Sequence, residues 1–155
     1  FPLSDQTLLL MGAALYWAEG SKGKRFEITN SDPYLVLFMV NWVKDIFQIS
    51  RYELHARLNI YPQQNEKKIK NFWSDLTGIP LQNFGKSYIK PLSKNFKKNN
   101  LYYGTMRIEV SKGTDKRYRV FGWIRATLKN IKESVSLNQK KWQSLVKTSR
   151  PGNLR

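Results

Sequence analysis

The apolar and polar residues of this chain follow two different periods, which divide it into helices and strands. Residues 8–18 are almost all apolar or small, so they predict a helix that begins near Ser4 and is buried on every side. Gly20 provides a natural helix stop directly after Glu19. Apolar residues at helical spacing predict further helices over residues 33–47, 65–77 and 118–136.

Other stretches alternate between apolar and polar residues, which is typical of strands with one buried and one exposed face. The clearest runs from Arg51 to Tyr61, and its register is well fixed because a shift of one residue would exchange the two faces. Its expected inward residues are Tyr52, Leu54, Ala56, Leu58 and Ile60. Its expected outward residues are Arg51, Glu53, His55, Arg57, Asn59 and Tyr61. Further strands are predicted over residues 25–30, 86–91 and 102–110.

These elements predict an α+β fold in which helices cover one face of a mostly antiparallel sheet. The other face of the sheet would remain exposed, with arginine, lysine, tyrosine, asparagine and threonine side chains. We expect a single domain over residues 1–136, followed by a C-terminal helix extension and basic tail over residues 137–155.

The charge of the chain points to a polyanionic partner. Lys and Arg number 27 against 11 Asp and Glu, which gives a net charge of +16. Such an excess is typical of proteins that bind nucleic acid. We expect no membrane association, because no apolar run reaches the roughly 18 residues of a membrane span and the sequence shows no basic amphipathic helix.

The chain lacks the residues that several other classes of protein require. The chain has no Cys and a single His, which excludes a zinc cluster, and it has neither a phosphate-binding Gly-x-x-x-x-Gly-Lys loop nor a nucleophile elbow. The lack of cysteine fits a cytoplasmic protein, or an organellar one if it is encoded there. The chain begins at Phe1 rather than at Met, so we expect that an upstream segment precedes it.

Basic and hydrogen-bonding residues on the exposed strand faces and in the turns are the expected nucleic-acid contacts. They are Lys22, Lys24, Arg25, Arg51, His55, Arg57, Lys86, Tyr88, Lys94, Lys97, Lys98 and Arg107. The three lysines of the 92–100 loop are expected to contact phosphates, which adds affinity but little sequence preference. The alternative is a solvated face with cross-strand pairs, such as Glu53 with Arg51 or Arg57.

Glu19 is the conspicuous chemical group of the first helix. A carboxylate at a helix C-terminus is disfavoured by the helix dipole, so its position favours a functional role such as metal binding. The alternative is an acid at a helix end that pairs with a neighbouring lysine.

The segment Met11-Gly-Ala-Ala-Leu-Tyr-Trp-Ala-Glu-Gly-Ser21 resembles the signature helix of the LAGLIDADG homing endonuclease family. Ala14 and Ala18 match the small contact positions of that motif, Glu19 matches its acid, and Gly20 matches its closing glycine. The order of elements over about residues 5–136 is similar to the family's αββαββα core. The strand before Arg25 would then be very short, and the helix at 65–77 would be an addition.

The resemblance implies a homodimer that cleaves double-stranded DNA at specific sites. Met11, Ala14 and Ala18 would form the dimer interface, and the concave, basic sheet face would meet the DNA. Two copies of Glu19, with Gly20, would hold Mg²⁺ or another divalent cation for phosphodiester hydrolysis. Lys90 is the expected basic residue beside the scissile phosphate, and a symmetric dimer predicts a pseudo-palindromic target.

Two alternatives to cleavage stay open on the same scaffold. The acid of the family's motif is more often Asp, whereas this chain has Glu19. The side chain of Glu is one methylene longer, which shifts the position of the carboxylate. The scaffold also occurs in DNA-binding transcription regulators that do not cleave. Maturases, which help RNA to splice, share it as well.

Overall fold

A computed structural model describes residues 4–91 and 102–144 of the chain. Its helices and strands are α1 Asp5–Glu19, β1 Glu27–Asn30, α2 Pro33–Phe47, β2 Leu54–Ile60, α3 Glu66–Thr77, β3 Tyr88–Ile89, β4 Thr105–Val110, α4 Thr114–Thr127 and α5 Lys129–Lys141. Short 3₁₀ turns lie at Arg51–Glu53 and Leu81–Asn83. The expected α+β class is therefore confirmed. None of the helices in these described ranges is long and apolar enough to span a membrane.

The strands form one four-stranded sheet in the order β1-β4-β2-β3. β4 pairs antiparallel with both β1 and β2, whereas the short β3 runs parallel to β2. The residue after α1 joins the sheet as well, because Gly20 forms an antiparallel bridge with Ile28 and the Ser21 amide donates to the Glu27 carbonyl at 2.8 Å. The sheet is therefore mixed, with β4 and β2 as its central strands.

The buried face of the sheet and the helices share one apolar core. The alternation predicted for β2 and β4 is confirmed over the observed strands, with Leu54, Ala56, Leu58, Ile60, Met106, Ile108 and Val110 all buried. Residues of α1, α2, α3 and α4 belong to the same cluster. Since the buried strand residues lie on one face, the helices cover that face and leave the other open.

Local signals in the sequence explain where the first three helices begin and end. The Ser4 hydroxyl accepts from the Thr7 amide at the start of α1, and Asp32 accepts from Tyr34 before α2. Asn65 likewise accepts from the Lys68 amide before α3. These side chains satisfy amides that the first helical turn leaves unpaired, so the observed helices agree with the predicted ones.

The prediction that α1 is buried on every side is wrong for the single chain. Gly12, Ala13 and Tyr16 are its buried residues, and they face α2, β1 and α4. Leu10, Met11 and Trp17 are 42%, 44% and 47% exposed. An apolar helix can be only half covered in one subunit, and the sequence pattern does not reveal which face is left open.

The predicted strand from Arg51 begins three residues too early. Arg51–Glu53 form a 3₁₀ turn, because the Ser50 and Glu53 side chains close a reciprocal capping box around it. Tyr52 is consequently 70% exposed instead of facing inward. Glu53 accepts from the Ser50 amide at 2.9 Å and is not a cross-strand partner of Arg51 or Arg57.

The predicted helix over residues 118–136 is in fact two helices. The first, α4, begins at Thr114, and the helix is interrupted at Leu128 before α5 begins. The Thr127 hydroxyl donates to the Trp123 carbonyl at 3.0 Å, a local bond that often bends helices. None of the described residues of α5 is buried, and the expected boundary between residues 136 and 137 falls within this helix. Residues 145–155, the rest of the predicted tail, lie outside the described residues.

Candidate nucleic-acid interface

The side chains of the sheet that point away from the helices form a surface that we call the open face. It consists of Glu27, Thr29, His55, Arg57, Asn59, Thr105, Arg107 and Glu109. The antiparallel register of β2 and β4 aligns these residues in rows across the strands. His55 stands opposite Glu109, Arg57 opposite Arg107, and Asn59 opposite Thr105.

Arg57 and Arg107 form a pair of like charges on the two central strands of the open face. Like charges directly opposed on neighbouring strands repel each other, which destabilises the sheet. Neither guanidinium forms an ion pair with a described residue. The two arginines line both a cleft of about 300 Å³ and a neighbouring one of about 650 Å³. An anion or another strong acceptor bound there would relieve the repulsion.

The two ends of the open face differ in how far their charges are neutralised. Arg25 pairs with Glu109 at 3.2 Å, at one edge of the smaller cleft. Lys86 and Tyr88 line the larger cleft beside Arg57 and Arg107. The expected contacts Arg25, His55, Arg57, Lys86, Tyr88 and Arg107 are therefore brought together on one side of the sheet.

The basic turn after α1 is held by the end of that helix and by α4. The Lys22 ammonium donates to the carbonyls of Trp17 and Gly20, which places a positive charge at the negative end of the helix dipole. Arg117 of α4 donates to the Lys22 carbonyl at 2.9 Å. The exposed Lys24 side chain projects from this ordered turn at the β1 edge of the sheet.

Glu19 is exposed at the end of α1 and is held by an asparagine. The Asn30 Nδ2 donates to the Glu19 Oε2 at 3.3 Å. The Asn30 Oδ1 accepts from the amides of Ser31 and Asp32 at 2.8 and 2.9 Å, which fixes the orientation of the amide group. Glu19 forms no ion pair with any described lysine, so the alternative of a helix-end pair is not observed.

Two of the predicted site residues lie apart from this region. Lys90 donates its amide to the Ile60 carbonyl and holds its ammonium 5.0 Å from the centre of the Tyr61 ring. It follows β3, three strand spacings or roughly 14 Å across the sheet from β1 and Asn30. The structure therefore does not bring Lys90 beside Glu19 within one chain.

Arg51 lies on the helical side of the sheet. Its Nη2 donates to the Asn41 Oδ1 of α2 at 3.0 Å, and its side chain packs against Gly78. It is thus engaged within the fold and separate from the open face. Lys94, Lys97 and Lys98 lie outside the described residues.

Sequence reasoning missed two residues that shape the open face. Asn83 donates to the carbonyls of Tyr52 and Leu54 at 2.8 and 2.9 Å. These two bonds fasten the Leu81–Asn83 turn to the start of β2. The Gly85 amide donates to the Ala56 carbonyl at 2.9 Å, and a Cβ at Gly85 would lie 3.3 Å from the Arg57 Nε. A glycine beside a strand is the sequence signal for such a close approach.

The fit of a divalent cation to Glu19 is partial in one chain. Its exposed carboxylate is the kind of ligand that Mg²⁺ prefers. The Gly20 carbonyl, the second expected ligand, already accepts from the Lys22 ammonium at 3.2 Å. Across residues 4–91 and 102–144 no three His, Cys, Asp or Glu residues are grouped as a metal site.

The described elements define an α+β domain whose sheet presents one face that none of the described helices covers, with two arginines at its centre. Comparisons with protein-family models, with curated proteins and with solved structures find no match to this chain. The functional conclusion therefore depends on the open face, the end of α1 and the charge of the chain.

Proposed function

We propose that this protein binds double-stranded DNA through the open face. The observation that carries the proposal is the opposed pair Arg57 and Arg107, which face outward on the two central strands without an ion pair to any described residue. The net charge of +16 supplies the long-range attraction to a polyanion. A ribbon of two strands has the width of the DNA major groove, and Lys24 and Lys86 flank the arginines at the two edges.

We further propose a homodimer of the LAGLIDADG type that pairs through α1. Leu10, Met11, Ala14, Trp17 and Ala18 form an exposed apolar stripe at helical spacing. The alanines at Ala14 and Ala18 allow a second helix to approach closely. The order α1, Gly20 bridge, β1, α2, β2, β4, α4 is compatible with the αββαββα pattern, with α3 and β3 inserted after β2.

In such a dimer, two Glu19 carboxylates would lie close to the two-fold axis. Bound Mg²⁺ would relieve their repulsion, activate water and stabilise the leaving oxygen of phosphodiester cleavage. Asn30 would hold each carboxylate in place through its oriented amide. Lys90 lies across the sheet from the Glu19 of its own chain. We therefore propose that it contacts a phosphate at the β3 edge and does not act beside that Glu19.

A DNA-binding regulator that does not cleave is the second candidate. One hydrogen bond favours it: the Lys22 ammonium donates to the Gly20 carbonyl. This carbonyl is one of the two expected metal ligands, and a lysine already occupies it in the single chain.

Incubation with a plasmid library and Mg²⁺ separates the two candidates. Discrete double-strand cuts that Glu19→Gln abolishes would support the endonuclease. The exposed Asp75 of α3 provides a matched control, because Asp75→Asn removes a carboxylate far from the open face and should leave the cuts unchanged. Tight binding without cuts in any divalent cation would support the regulator. Lack of duplex binding at low salt, or a preference for structured RNA, would contradict both.

A further inference from the structure

The rows of the open face differ in how much of their hydrogen-bonding capacity is already used. In one row Glu109 accepts from Arg25 beside His55. In the next row Arg57 and Arg107 face each other with no carboxylate between them. The charged donors of this second row are therefore available to a ligand at the centre of the sheet.

The position of this row decides which part of a duplex it meets. Arg57 and Arg107 lie on β2 and β4, the central strands of the sheet, whereas Lys24 and Lys86 lie towards its two edges. When a sheet enters the major groove, its centre faces the base edges and its margins face the phosphate backbones. The arginine row is thus placed for bases and the lysines for phosphates.

Gly85 orients one of the two arginines. The Gly85 backbone is fixed to β2 by the bond from its amide to the Ala56 carbonyl, and the Arg57 stem passes over it. A Cβ at this position would come within 3.3 Å of the Arg57 Nε and 3.4 Å of its Cγ. The missing side chain lets Arg57 lie along the face, and a guanidinium held this way loses less freedom when it binds.

We propose that Arg57 and Arg107 read guanines at two neighbouring base pairs of the bound duplex. Guanine presents two acceptors, N7 and O6, in the major groove, and the planar fork of arginine matches them with two hydrogen bonds. The paired acceptors also relieve the repulsion between the two opposed guanidinium groups. This inference rests on the proposed binding of double-stranded DNA.

Selection from a library of random duplexes tests the inference, because it requires no known target sequence. The wild-type chain is expected to enrich a motif with two adjacent G·C pairs. Arg57→Ala is expected to lose the preference at one of them and Arg107→Ala at the other, each by roughly 10- to 100-fold. Lys24→Ala, which removes one exposed positive charge at the sheet edge, is the matched control and should weaken all sequences alike.

The outcomes distinguish this inference from the function beneath it. If no duplex binds, the proposed function fails. If duplexes bind but the arginine variants keep the motif, or weaken every sequence equally as Lys24→Ala does, the guanine readout is wrong while DNA binding stands. Thermal unfolding of each variant should occur at or slightly above the wild-type midpoint, because each substitution removes one of two opposed like charges on the open face; a lower midpoint would assign the side chain a structural role.

Discussion

Gly12 lies beneath the indole ring of Trp42, and a Cβ at that position would overlap three atoms of the ring. Gly12→Ala is therefore expected to destabilise the protein by about 2 kcal/mol, even though alanine favours a helix. Gly122 in α4 has no side chain and no other part of the described fold within 4 Å of the corresponding Cβ position, apart from its own stretch of helix backbone, so Gly122→Ala should stabilise by about 0.5–1 kcal/mol. Urea unfolding of both variants measures the two values. Equal effects at both positions would contradict the close packing of α1 on α2.

Tyr16 is fully buried against Phe26, and burial raises its pKa from 10.0 to about 12. Below pH 10 the phenol is protonated in both states, and its contribution to stability is fully present. As the pH rises from 10 to 12 the unfolded chain ionises first, so this contribution is lost. At pH 11 we expect the wild type to have lost about 1.4 kcal/mol relative to Tyr16→Phe, compared with pH 8. Parallel denaturant titrations that shift equally with pH would contradict this environment.

At the scale of single residues, the sequence predicted which way a side chain faces better than it predicted the neighbours of that side chain. The outward placement of Arg57 and Arg107 followed from the alternation of their strands, and the structure confirms it. The contact of Gly12 with Trp42 and the bond from Asn30 to Glu19 join residues from different elements. Such contacts depend on how helices and strands pack against each other. Neither the helical spacing nor the strand alternation of apolar residues predicts them.

At the scale of a single element, the exposed apolar stripe of α1 leads to a prediction about dimerisation. Ala14→Glu would place a charge at the centre of the proposed interface, so we expect a monomer in sedimentation experiments and weaker DNA binding. Ala126→Glu is the same change at an exposed alanine of α4 and should leave the association unchanged. A wild-type chain that is monomeric with and without DNA would contradict the shared site at once.

Elements were predictable where a local signal marked their ends. Capping by Asn65 and the left-handed glycine at Gly78 delimit α3, which matches its predicted range closely. The break at Leu128 has no glycine or proline to announce it, so the periodicity continued across it. Ile131 and Val135 keep the helical spacing of α4 but are 52% and 49% exposed, since a separate helix need not continue the buried face.

At the scale of the molecule, the layered arrangement followed from the strands having one apolar face each. The strand order did not, because β4 inserts between β1 and β2, which precede it in the chain. Nor did the parallel pairing of β3, which depends on the turn at Leu81–Asn83 being fastened to β2. These non-local pairings decide that Arg57 and Arg107 meet at the centre of the sheet.

The distribution of charge over the molecule leads to a prediction about salt. Each phosphate that a basic residue neutralises lowers the logarithm of the DNA affinity by about 0.9 per tenfold rise in salt. Lys24→Ala should therefore reduce the slope by about 0.9 if one chain binds a duplex and by about 1.8 if two chains bind. Lys67, exposed on α3 at the helical side of the sheet, is the control whose removal should leave the slope unchanged. Titrations of one duplex at several salt concentrations thus count the bound chains and identify the face that meets DNA. An equal change for both lysines would show that the charge acts diffusely, contrary to docking through the open face.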